Sequence, residues 1–421
     1  MNSSASSPVS DSTPGAFSQA TIASGGVELR APAITGIDTA DDAIHVRWSD
    51  GVLGRFHLLW LRDNCSSVRH PGTGQRLVDI TELPRDISIQ RAQLETDDSL
   101  LIHWAGDRHI SRFAGAWLRK YAGDLNSART GQTTIRSGSA ATIESESGET
   151  RIWNDAGQEL ADEPEFSYDE IAASPEALRD WLRQVRRHGF ARLRDVPCTP
   201  GYVLKIVPLF GYVRETNYGR LMDIQCQGEP NNLVFSNAAL APHTDNPYRD
   251  PAPTLKLLHC LKNCADQDGG ESVLVDGFAA AEELRRTAPD QFSLLANIQV
   301  LFRFNDDDVD LECERSVLDL DPDGAIRGVY FNHRSMAPLR LAPGVMESYY
   351  RAYLAFANKL QSARNQLRFH LQPGELYIVD NRRVLHGRTQ YRNPFDRHLQ
   401  ACYADRDGLL SRLRILDKQL S

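Results

Sequence analysis

Short runs that alternate apolar and polar residues recur in the first third of the chain and predict strands joined by turns. Residues 43–48 alternate in this way and are followed by the turn sequence Ser49-Asp50-Gly51. A similar run at 101–104 ends in Ala105-Gly106. Two further strands are predicted at 56–61 and 86–89. Together these runs predict a small β-rich domain over residues 31–125.

The pattern changes beyond residue 165, where helices appear between the strands. Ser174 is a typical N-cap before Pro175, and apolar residues then recur at helical spacing as far as Val185. Further helices are predicted at 202–210 and 343–360. Strands are predicted at 189–193, 255–260, 272–275, 298–304, 329–332, 368–371, 376–379 and 400–404. Many short strands with a few covering helices predict an α+β domain over 165–421, built on a double-stranded β-helix (jelly-roll) barrel with flanking helices.

Two segments have the composition of unstructured chain. Residues 1–30 are rich in serine, alanine and threonine and are predicted to form a disordered tail. Residues 126–164 contain a run rich in serine, threonine and glycine, and are predicted to link the two domains.

Composition narrows the classes of partner. The chain has 421 residues, of which 41% are apolar and 24% charged, as in ordinary globular proteins. A net charge of −9 argues against nucleic acid and against anionic membrane surfaces, so a small-molecule partner is expected. The sequence contains no apolar run of membrane-spanning length and no basic, hydrophobic leader, so we expect a cytoplasmic location.

Cysteine usage also fits a reducing compartment. The seven cysteines are odd in number and widely scattered, which is typical of free thiols. Cys260 and Cys264, with His259 beside them, could form half of a zinc site. The absence of a second Cys/His pair at suitable spacing favours a buried strand followed by a loop.

Two histidines and an aspartate provide the candidate chemistry. His243-Thr244-Asp245 would place both ligating side chains on one face of a strand, because residues i and i+2 point the same way. His386 follows a second apolar run, and Arg397 lies just beyond it. Two histidines and a carboxylate form the facial triad that holds Fe(II) in oxygenases and leaves coordination positions open. A lone His-x-Asp occurs often by chance, so the prediction depends on all four residues appearing in this order.

The same residues lie in longer motifs that resemble the γ-butyrobetaine dioxygenase family, within the wider taurine-dioxygenase-like group of Fe(II)/2-oxoglutarate oxygenases. The motifs are His243-Thr-Asp-Asn-Pro-Tyr-Arg-Asp-Pro, Leu257-Leu-His-Cys-Leu, Gly269-Gly-Glu-Ser, Val275-Asp-Gly-Phe, Val384-Leu-His-Gly-Arg, Arg397-His-Leu and Tyr403-Ala-Asp. Trp60-Leu-Arg-Asp-Asn-Cys with Gly74-Gln-Arg resembles the small domain ahead of the barrel, and Ser411-Arg-Leu-Arg-Ile-Leu matches near the C-terminus. The resemblance extends over roughly residues 40–417.

The resemblance implies an activity and roles for the triad. His243, Asp245 and His386 would hold Fe(II), and Arg397 would bind the distal carboxylate of the co-substrate 2-oxoglutarate. The implied reaction uses O₂ and hydroxylates a trimethylammonium carboxylic acid, with release of succinate and CO₂. The first candidate is γ-butyrobetaine, hydroxylated to L-carnitine in carnitine biosynthesis. The resemblance also implies a homodimer, with which the apolar C-terminal residues 413–416 are compatible, as they are with core packing.

The resemblance further implies a substrate pocket. Tyr218, Phe235 and Tyr403 would line an aromatic cage for the trimethylammonium group, held by cation–π attraction. Met222 replaces a tryptophan of the animal enzymes and Phe235 a tyrosine, which would reshape the cage. The substrate's acidic end is expected near three asparagines: Asn232, Asn246 and Asn332.

A structural zinc site, present in the small domain of animal relatives, is incomplete in this sequence. Cys65 and His109 occupy matching positions, but Ser67 replaces one cysteine and His70 is the best remaining candidate. A hydroxyl is a poor zinc ligand and three candidates do not close a tetrahedral site, so we do not expect structural zinc.

Other functions remain open at this stage. The altered cage would also allow hydroxylation of trimethylaminoethylphosphonate or trimethyllysine. A barrel that binds metal without turnover is an alternative of another class, although the complete triad and Arg397 argue against it.

Overall fold

The structure, a computed structural model, describes residues 32–70, 74–84, 86–106, 108–122, 150–155, 160, 165–225, 238–263, 269–306, 308–391 and 397–421. The predicted disordered tail and most of the predicted linker lie outside these residues. Within them, mostly antiparallel sheets occur together with helices, as in the predicted α+β class. No helix in this part of the chain is long and apolar enough to cross a membrane.

The strands of the described residues are β1 Ile34–Thr39, β2 Ala43–Trp48, β3 Leu53–His57, β4 Ile89–Leu94, β5 Ser99–Trp104, β6 Ile110–Ala114, β7 Phe166–Ser167, β8 Phe190–Arg194, β9 Val213–Arg214, β10 Met222–Ile224, β11 Leu240–His243, β12 Leu255–Lys262, β13 Ser272–Asp276, β14 Gln299–Asn305, β15 Asp310–Ser316, β16 Leu318–Leu320, β17 Ile326–Val329, β18 Gln366–Phe369, β19 Leu376–Asp380, β20 Val384–Arg388 and β21 His398–Ala404. The helices are α1 Leu58–Asp63, α2 Gly115–Ala122, α3 Tyr168–Ala173, α4 Pro175–His188, α5 Val203–Ile206, α6 Gly277–Thr287, α7 Pro289–Asn297, α8 Pro343–Gln361 and α9 Arg406–Gln419.

Two three-stranded antiparallel sheets occupy the N-terminal part of the chain. Their strand orders are β1-β2-β3 and β4-β5-β6. Their buried faces, which include Trp48, Phe56 and Trp104, belong to one hydrophobic core with Tyr349 and Phe356 of α8. These two sheets therefore share a hydrophobic core with α8, and the small β-rich domain over residues 31–125 stays a prediction.

Two larger sheets face each other in the C-terminal part. One has the order β10-β21-β12-β19-β8-β7, with β9 also paired to β21, and the other has the order β11-β20-β13-β18. Between them lies an apolar cluster in which Leu258 and Tyr377 of the first sheet meet Leu274 and Val384 of the second. The alternation of side chains along each strand gives the first sheet a second apolar face, which α4 and α9 cover.

Two of the three predicted helices are confirmed, and the third is shorter than predicted. The Ser174 hydroxyl accepts a hydrogen bond from Ala177 N at 3.2 Å, and α4 ends at Gly189, whose φ of 78° suits a residue without a side chain. The helix predicted at 343–360 is α8. The helix predicted at 202–210 is shorter, because α5 passes into a 3-10 turn at Val207–Leu209.

Three strand predictions need correction. Residues 56–61 do not continue as a strand, since β3 ends at His57 and α1 begins at Leu58, where the His57 ring accepts a hydrogen bond from Leu59 N. The strand predicted at 86–89 begins only at Ile89, and that predicted at 329–332 ends at Val329. At 56–61 and 329–332 a mostly apolar run extends past the last residue of the strand.

A buried ion pair joins the N-terminal part to the segment after β17. The Arg76 guanidinium lies 2.9 Å from Asp63 Oδ1, and both side chains are at most 2% exposed. Arg76 also donates to the carbonyl oxygens of His333 and Met336, and Tyr350 donates to Asp63 Oδ2. Burial opposes ionisation of Asp63, but Arg76 and His333 outweigh it and hold its pKa well below the usual value.

Removing Arg76 tests the importance of this pair. We expect Arg76→Ala to lower the free energy of unfolding by about 3–5 kcal/mol, because Asp63 would keep a buried charge without its main partner. The matched control is Arg47→Ala, which removes an exposed partner of Asp38 and should change stability little. Urea denaturation of both variants measures the difference, and equal losses would contradict the assignment.

Candidate functional site

Two strands of the smaller sheet bring the predicted metal ligands together. β11 ends at His243, which is paired with His386 of β20. The two imidazole rings have centroids 4.7 Å apart. Asp245 follows two residues after His243, and all three side chains are buried.

The position of Asp245 is set by hydrogen bonds between its backbone and Asn381, and not by the strand pairing that the sequence suggested. The prediction placed His243 and Asp245 on one strand, but pairing stops at His243. Asn381, in the turn between β19 and β20, accepts from Asp245 N at 2.7 Å and donates to Asp245 O at 3.1 Å. Thr244 points away from the two ligands, and its hydroxyl accepts from Phe331 N at 2.9 Å. The side chains of His243 and Asp245 therefore converge through backbone anchoring beyond the strand end.

The three candidate ligands have the geometry of a metal site. Asp245 Oδ1 lies 3.3 Å from His243 Nε2 and 3.4 Å from His386 Nε2. His243 Nδ1 lies 2.9 Å from the carbonyl oxygen of Ala241, an arrangement that places the proton on Nδ1 and leaves Nε2 free to ligate. Within the described residues one other group has comparable spacing, Asp42, His57 and Glu347, but it lies at the surface.

The second carboxylate oxygen of Asp245 has two donors of its own. Lys256 Nζ lies 2.7 Å from Asp245 Oδ2, and the Tyr403 hydroxyl donates to the same oxygen at 2.8 Å. Lys256 and Tyr403 are cross-strand partners on β12 and β21, so the sheet register brings both to one oxygen. Lys256 Nζ is also 2.9 Å from His386 Nε2. Oδ2 is thereby engaged by the protein, while Oδ1 faces the two imidazoles.

Burial and charge set the protonation states that metal binding requires. Burial, reinforced by the positive charge of Arg334, lowers the pKa of His243 to about 3. Burial and Lys256 likewise lower the pKa of His386. Burial opposes ionisation of Asp245, but Lys256 and His386 outweigh it and hold its pKa well below the usual value. At neutral pH the site therefore presents two neutral imidazoles and one carboxylate, the forms that ligate metal.

A chain of hydrogen bonds connects the Asp245 carboxylate to three tyrosines, Tyr403, Tyr248 and Tyr218, which together are called the aromatic wall. Asn246 donates to the Tyr403 hydroxyl at 3.2 Å, and Tyr248 donates to Asn246 Oδ1 at 2.6 Å. The hydroxyl groups of Tyr248 and Tyr218 are 3.2 Å apart. Asn246 adopts φ of 53°, which asparagine tolerates better than most residues. The wall is thus fixed relative to Asp245 by a continuous path of side chains.

Most of the predicted pocket residues line one cavity beside the triad. The lining residues are Gln75, Tyr218, Met222, Ile224, His243, Asp245, Asn246, Tyr248, Lys256, Asn332, Arg334, Ser335 and Tyr403. Asn232 and Phe235 lie outside the described residues, so their predicted roles stay predictions. Sequence reasoning missed Lys256, Tyr248 and Arg334. Lys256 had a visible signal, since it is the one charged residue within the apolar run 255–260.

Arg397 has the properties expected of a carboxylate-binding residue. It is 5% exposed, its Nε has no hydrogen-bond partner among the described residues, and its guanidinium lies 5.3 Å from the centre of the Tyr391 ring. An unpaired buried donor of this kind fits the distal carboxylate of a dicarboxylic acid.

The residues considered for zinc are close together in the N-terminal part. Cys65 Sγ lies 3.0 Å from the Ser67 hydroxyl, which is 3.4 Å from His109 Nε2. Ser67 thus occupies the middle of the cluster with an oxygen that is a weak zinc ligand. Cys260 is a buried strand residue, as expected, and Cys264 lies outside the described residues.

Two family models match the chain. Residues 153–403 match the family described as taurine catabolism dioxygenase TauD, TfdA family. Residues 36–119 match the family described as gamma-butyrobetaine hydroxylase-like, N-terminal. The second match falls on the region of the two N-terminal sheets.

Individual relatives extend over nearly the whole chain. It is 34% identical over 379 residues to a gamma-butyrobetaine dioxygenase of Pseudomonas sp. (strain AK-1), covering 89% of this chain and 94% of the relative. A trimethyllysine dioxygenase of Meyerozyma guilliermondii is 29% identical, with coverage of 89% and 94%.

Solved structures match less of the chain. The non-heme iron oxygenase OrfP, solved with Fe and alpha-ketoglutaric acid, matches at 16% identity with a TM-score of 0.43, covering 57% of this chain and 94% of OrfP. An asparagine oxygenase matches at 19% identity with a TM-score of 0.42, covering 56% and 81%.

Loss of Asn381 should weaken the site without removing a candidate ligand. We expect Asn381→Ala to lower metal affinity about 10–100-fold, because Asp245 would lose both backbone anchors. Anaerobic titration with Co(II), followed by its visible absorption, measures the affinity. The matched control, Asn305→Ala, changes an exposed asparagine at the end of β14 and should leave the affinity unchanged. Similar affinities for both variants would show that Asn381 does not position Asp245.

Proposed function

Because this chain belongs to the taurine catabolism dioxygenase TauD, TfdA family, we propose that it hydroxylates a trimethylammonium carboxylic acid with Fe(II) and 2-oxoglutarate. The family match confirms the predicted enzyme class, a dioxygenase. We propose γ-butyrobetaine as the first substrate to test, with L-carnitine, succinate and CO₂ as products. The relatives named above act on γ-butyrobetaine or trimethyllysine, as their names state.

The observation that carries this proposal is the continuity between the triad and the aromatic wall. Tyr403 donates to the carboxylate of Asp245 and shares a hydrogen-bond chain with Tyr248 and Tyr218. A quaternary ammonium group has no N–H to donate, so proteins bind it mainly through aromatic faces. Substrate held at this wall would present its carbon chain to the metal position.

We propose the following roles for the chain's own residues. His243, Asp245 and His386 hold Fe(II), which together with 2-oxoglutarate supplies the oxidising power for hydroxylating an unactivated C–H bond. Arg397 binds the distal carboxylate of 2-oxoglutarate. Lys256 keeps Asp245 Oδ2 engaged, so that Oδ1 is the oxygen offered to the metal.

The finer features of the fold and assembly also belong to this proposal. We infer that the two facing sheets form a double-stranded β-helix, supported by the shared apolar cluster between them. The predicted homodimer and cytoplasmic location stay predictions. Leu413 and Leu416 are at most 1% exposed within one chain, so they pack in its core and give the dimer no support.

A substrate panel tests the activity. Under aerobic conditions with Fe(II) and 2-oxoglutarate, we expect γ-butyrobetaine to stimulate succinate release above the uncoupled background. Mass spectrometry should show a product heavier by one oxygen. Trimethylaminoethylphosphonate and trimethyllysine, tested in parallel, measure the alternatives. No stimulation by any trimethylammonium compound would contradict the proposed substrate class.

Replacing one of the three proposed iron ligands tests whether the triad is required for turnover. We expect His243→Ala to abolish both succinate release and hydroxylation, because iron would lose one of three protein ligands. Thermal unfolding measured alongside checks that the variant is folded. Turnover comparable with that of the unaltered enzyme would contradict the assignment of the triad.

Arg397 can be tested through the co-substrate. We expect Arg397→Leu to raise the KM for 2-oxoglutarate at least about tenfold, since a charge-assisted pair would be lost. The control, Arg327→Leu, changes an exposed arginine paired with Asp319 and should leave this KM unchanged. An unchanged KM in Arg397→Leu would place the distal carboxylate elsewhere.

A further inference from the structure

The cavity beside the triad contains two cationic side chains that a pocket for a quaternary ammonium group does not by itself require. Lys256 and Arg334 both line it, together with Tyr218, Tyr248 and Tyr403. A bound cation would be repelled by a positive charge that lacks a counter-ion, so the charges of this cavity constrain which substrate it accepts.

Lys256 already has a counter-ion. Its Nζ lies 2.7 Å from Asp245 Oδ2, and it is 6% exposed. In the proposed complex Fe(II), Lys256 and Arg397 are positive, and 2-oxoglutarate and Asp245 are negative. These groups already carry a net positive charge, so they provide no counter-ion for Arg334.

The position of Arg334 allows its positive charge to act on a ligand in the cavity. Its Nη1 is buried and has no hydrogen-bond partner among the described residues. Burial lowers the pKa of the Arg334 guanidinium and the charge of Asp245 opposes that shift, so the guanidinium interacts electrostatically with the triad. It lines the cavity together with Tyr218 and Tyr248. An unsatisfied arginine donor in a binding cavity costs free energy unless a ligand accepts from it.

The amide of Asn332 lies beside Arg334 along the chain. Asn332 donates from Nδ2 to Thr244 O at 3.1 Å, which fixes its orientation and leaves the second hydrogen of that nitrogen as its donor for an acidic group. Arg334 follows two residues later, in the segment whose backbone Arg76 holds through His333 and Met336. The anchoring by Arg76 keeps this segment at a fixed position beside the cavity.

From these contacts we propose that Arg334 binds the acidic group of the substrate and selects trimethylammonium acids whose far end carries only negative charge. This inference rests on the proposed function and narrows its substrate class to betaine-type carboxylates or phosphonates. Trimethyllysine presents an ammonium group beside its carboxylate, and that ammonium would meet Arg334 and Lys256. The enzyme therefore prefers γ-butyrobetaine to trimethyllysine.

Steady-state kinetics of the complete enzyme with Fe(II) test this assignment. We expect Arg334→Gln to raise the KM for γ-butyrobetaine about 10–100-fold and to reduce the preference over trimethyllysine. Arg334→Lys, which keeps the charge, should retain most of that preference. The control, Arg327→Gln, should behave as the unaltered enzyme does. An unchanged KM for γ-butyrobetaine in Arg334→Gln would overturn the proposal.

The 2-oxoglutarate carboxylates are the other possible source of an acidic group near Arg334. The KM for 2-oxoglutarate should therefore stay unchanged in Arg334→Gln. A raised KM for 2-oxoglutarate with an unchanged KM for γ-butyrobetaine would assign Arg334 to the co-substrate and overturn the proposal.

The unaltered enzyme supplies a test that does not depend on a variant folding. 4-(Trimethylammonio)butan-1-ol keeps the ammonium group and replaces the acid by an uncharged alcohol. We expect its KM to exceed that of γ-butyrobetaine at least about tenfold. Equal values would overturn the role of Arg334 while leaving the proposed reaction intact. Turnover of neither compound, nor of any other trimethylammonium acid, would refute the proposed function and this inference with it.

Discussion

The carboxylate of Asp245 is the group on which the site depends. Its two oxygens make different contacts. Oδ1 faces the imidazoles of His243 and His386. Oδ2 accepts hydrogen bonds from Lys256 and Tyr403. Burying a carboxylate is costly unless its lone pairs are satisfied. The surrounding strands supply those partners, so the same contacts that allow the charge to be buried also orient it.

The scaffold supports this carboxylate from both large sheets. The smaller sheet provides His243 and His386 as a cross-strand pair, and the larger sheet provides Lys256 and Tyr403 as another. Because each pair is set by strand register, a shift of one residue would turn these side chains away from the site. The hydrogen-bond chain from Tyr403 to Tyr218 then ties the substrate wall to the same oxygen. Metal binding and substrate placement are therefore properties of one connected network.

Sequence patterns predicted the parts of this network that have local signatures. Helix α4 follows from its capping residue and from periodicity, helix α8 follows from periodicity, and the triad follows from ligand chemistry and chain order. The strand ends were less predictable, because an apolar run does not show where pairing stops, as at His57 and His243. Lys256 was visible as a charge in an apolar run, but its partner could be known only from the register of β12 and β21. Tyr248 lay in the motif that begins at His243, but nothing in the sequence gave it a role, and Arg334 had no local signal, since its position depends on long-range packing.

The most direct measurement is an anaerobic titration of the purified protein with Fe(II) and 2-oxoglutarate, followed by visible absorption. The account predicts a weak charge-transfer band that appears when both are present and saturates at one equivalent of iron. The band should be lost when Asp245 is replaced by alanine. If the unaltered protein shows no band, or if the band persists unchanged without Asp245, the carboxylate is not the centre of an iron site and the account is wrong.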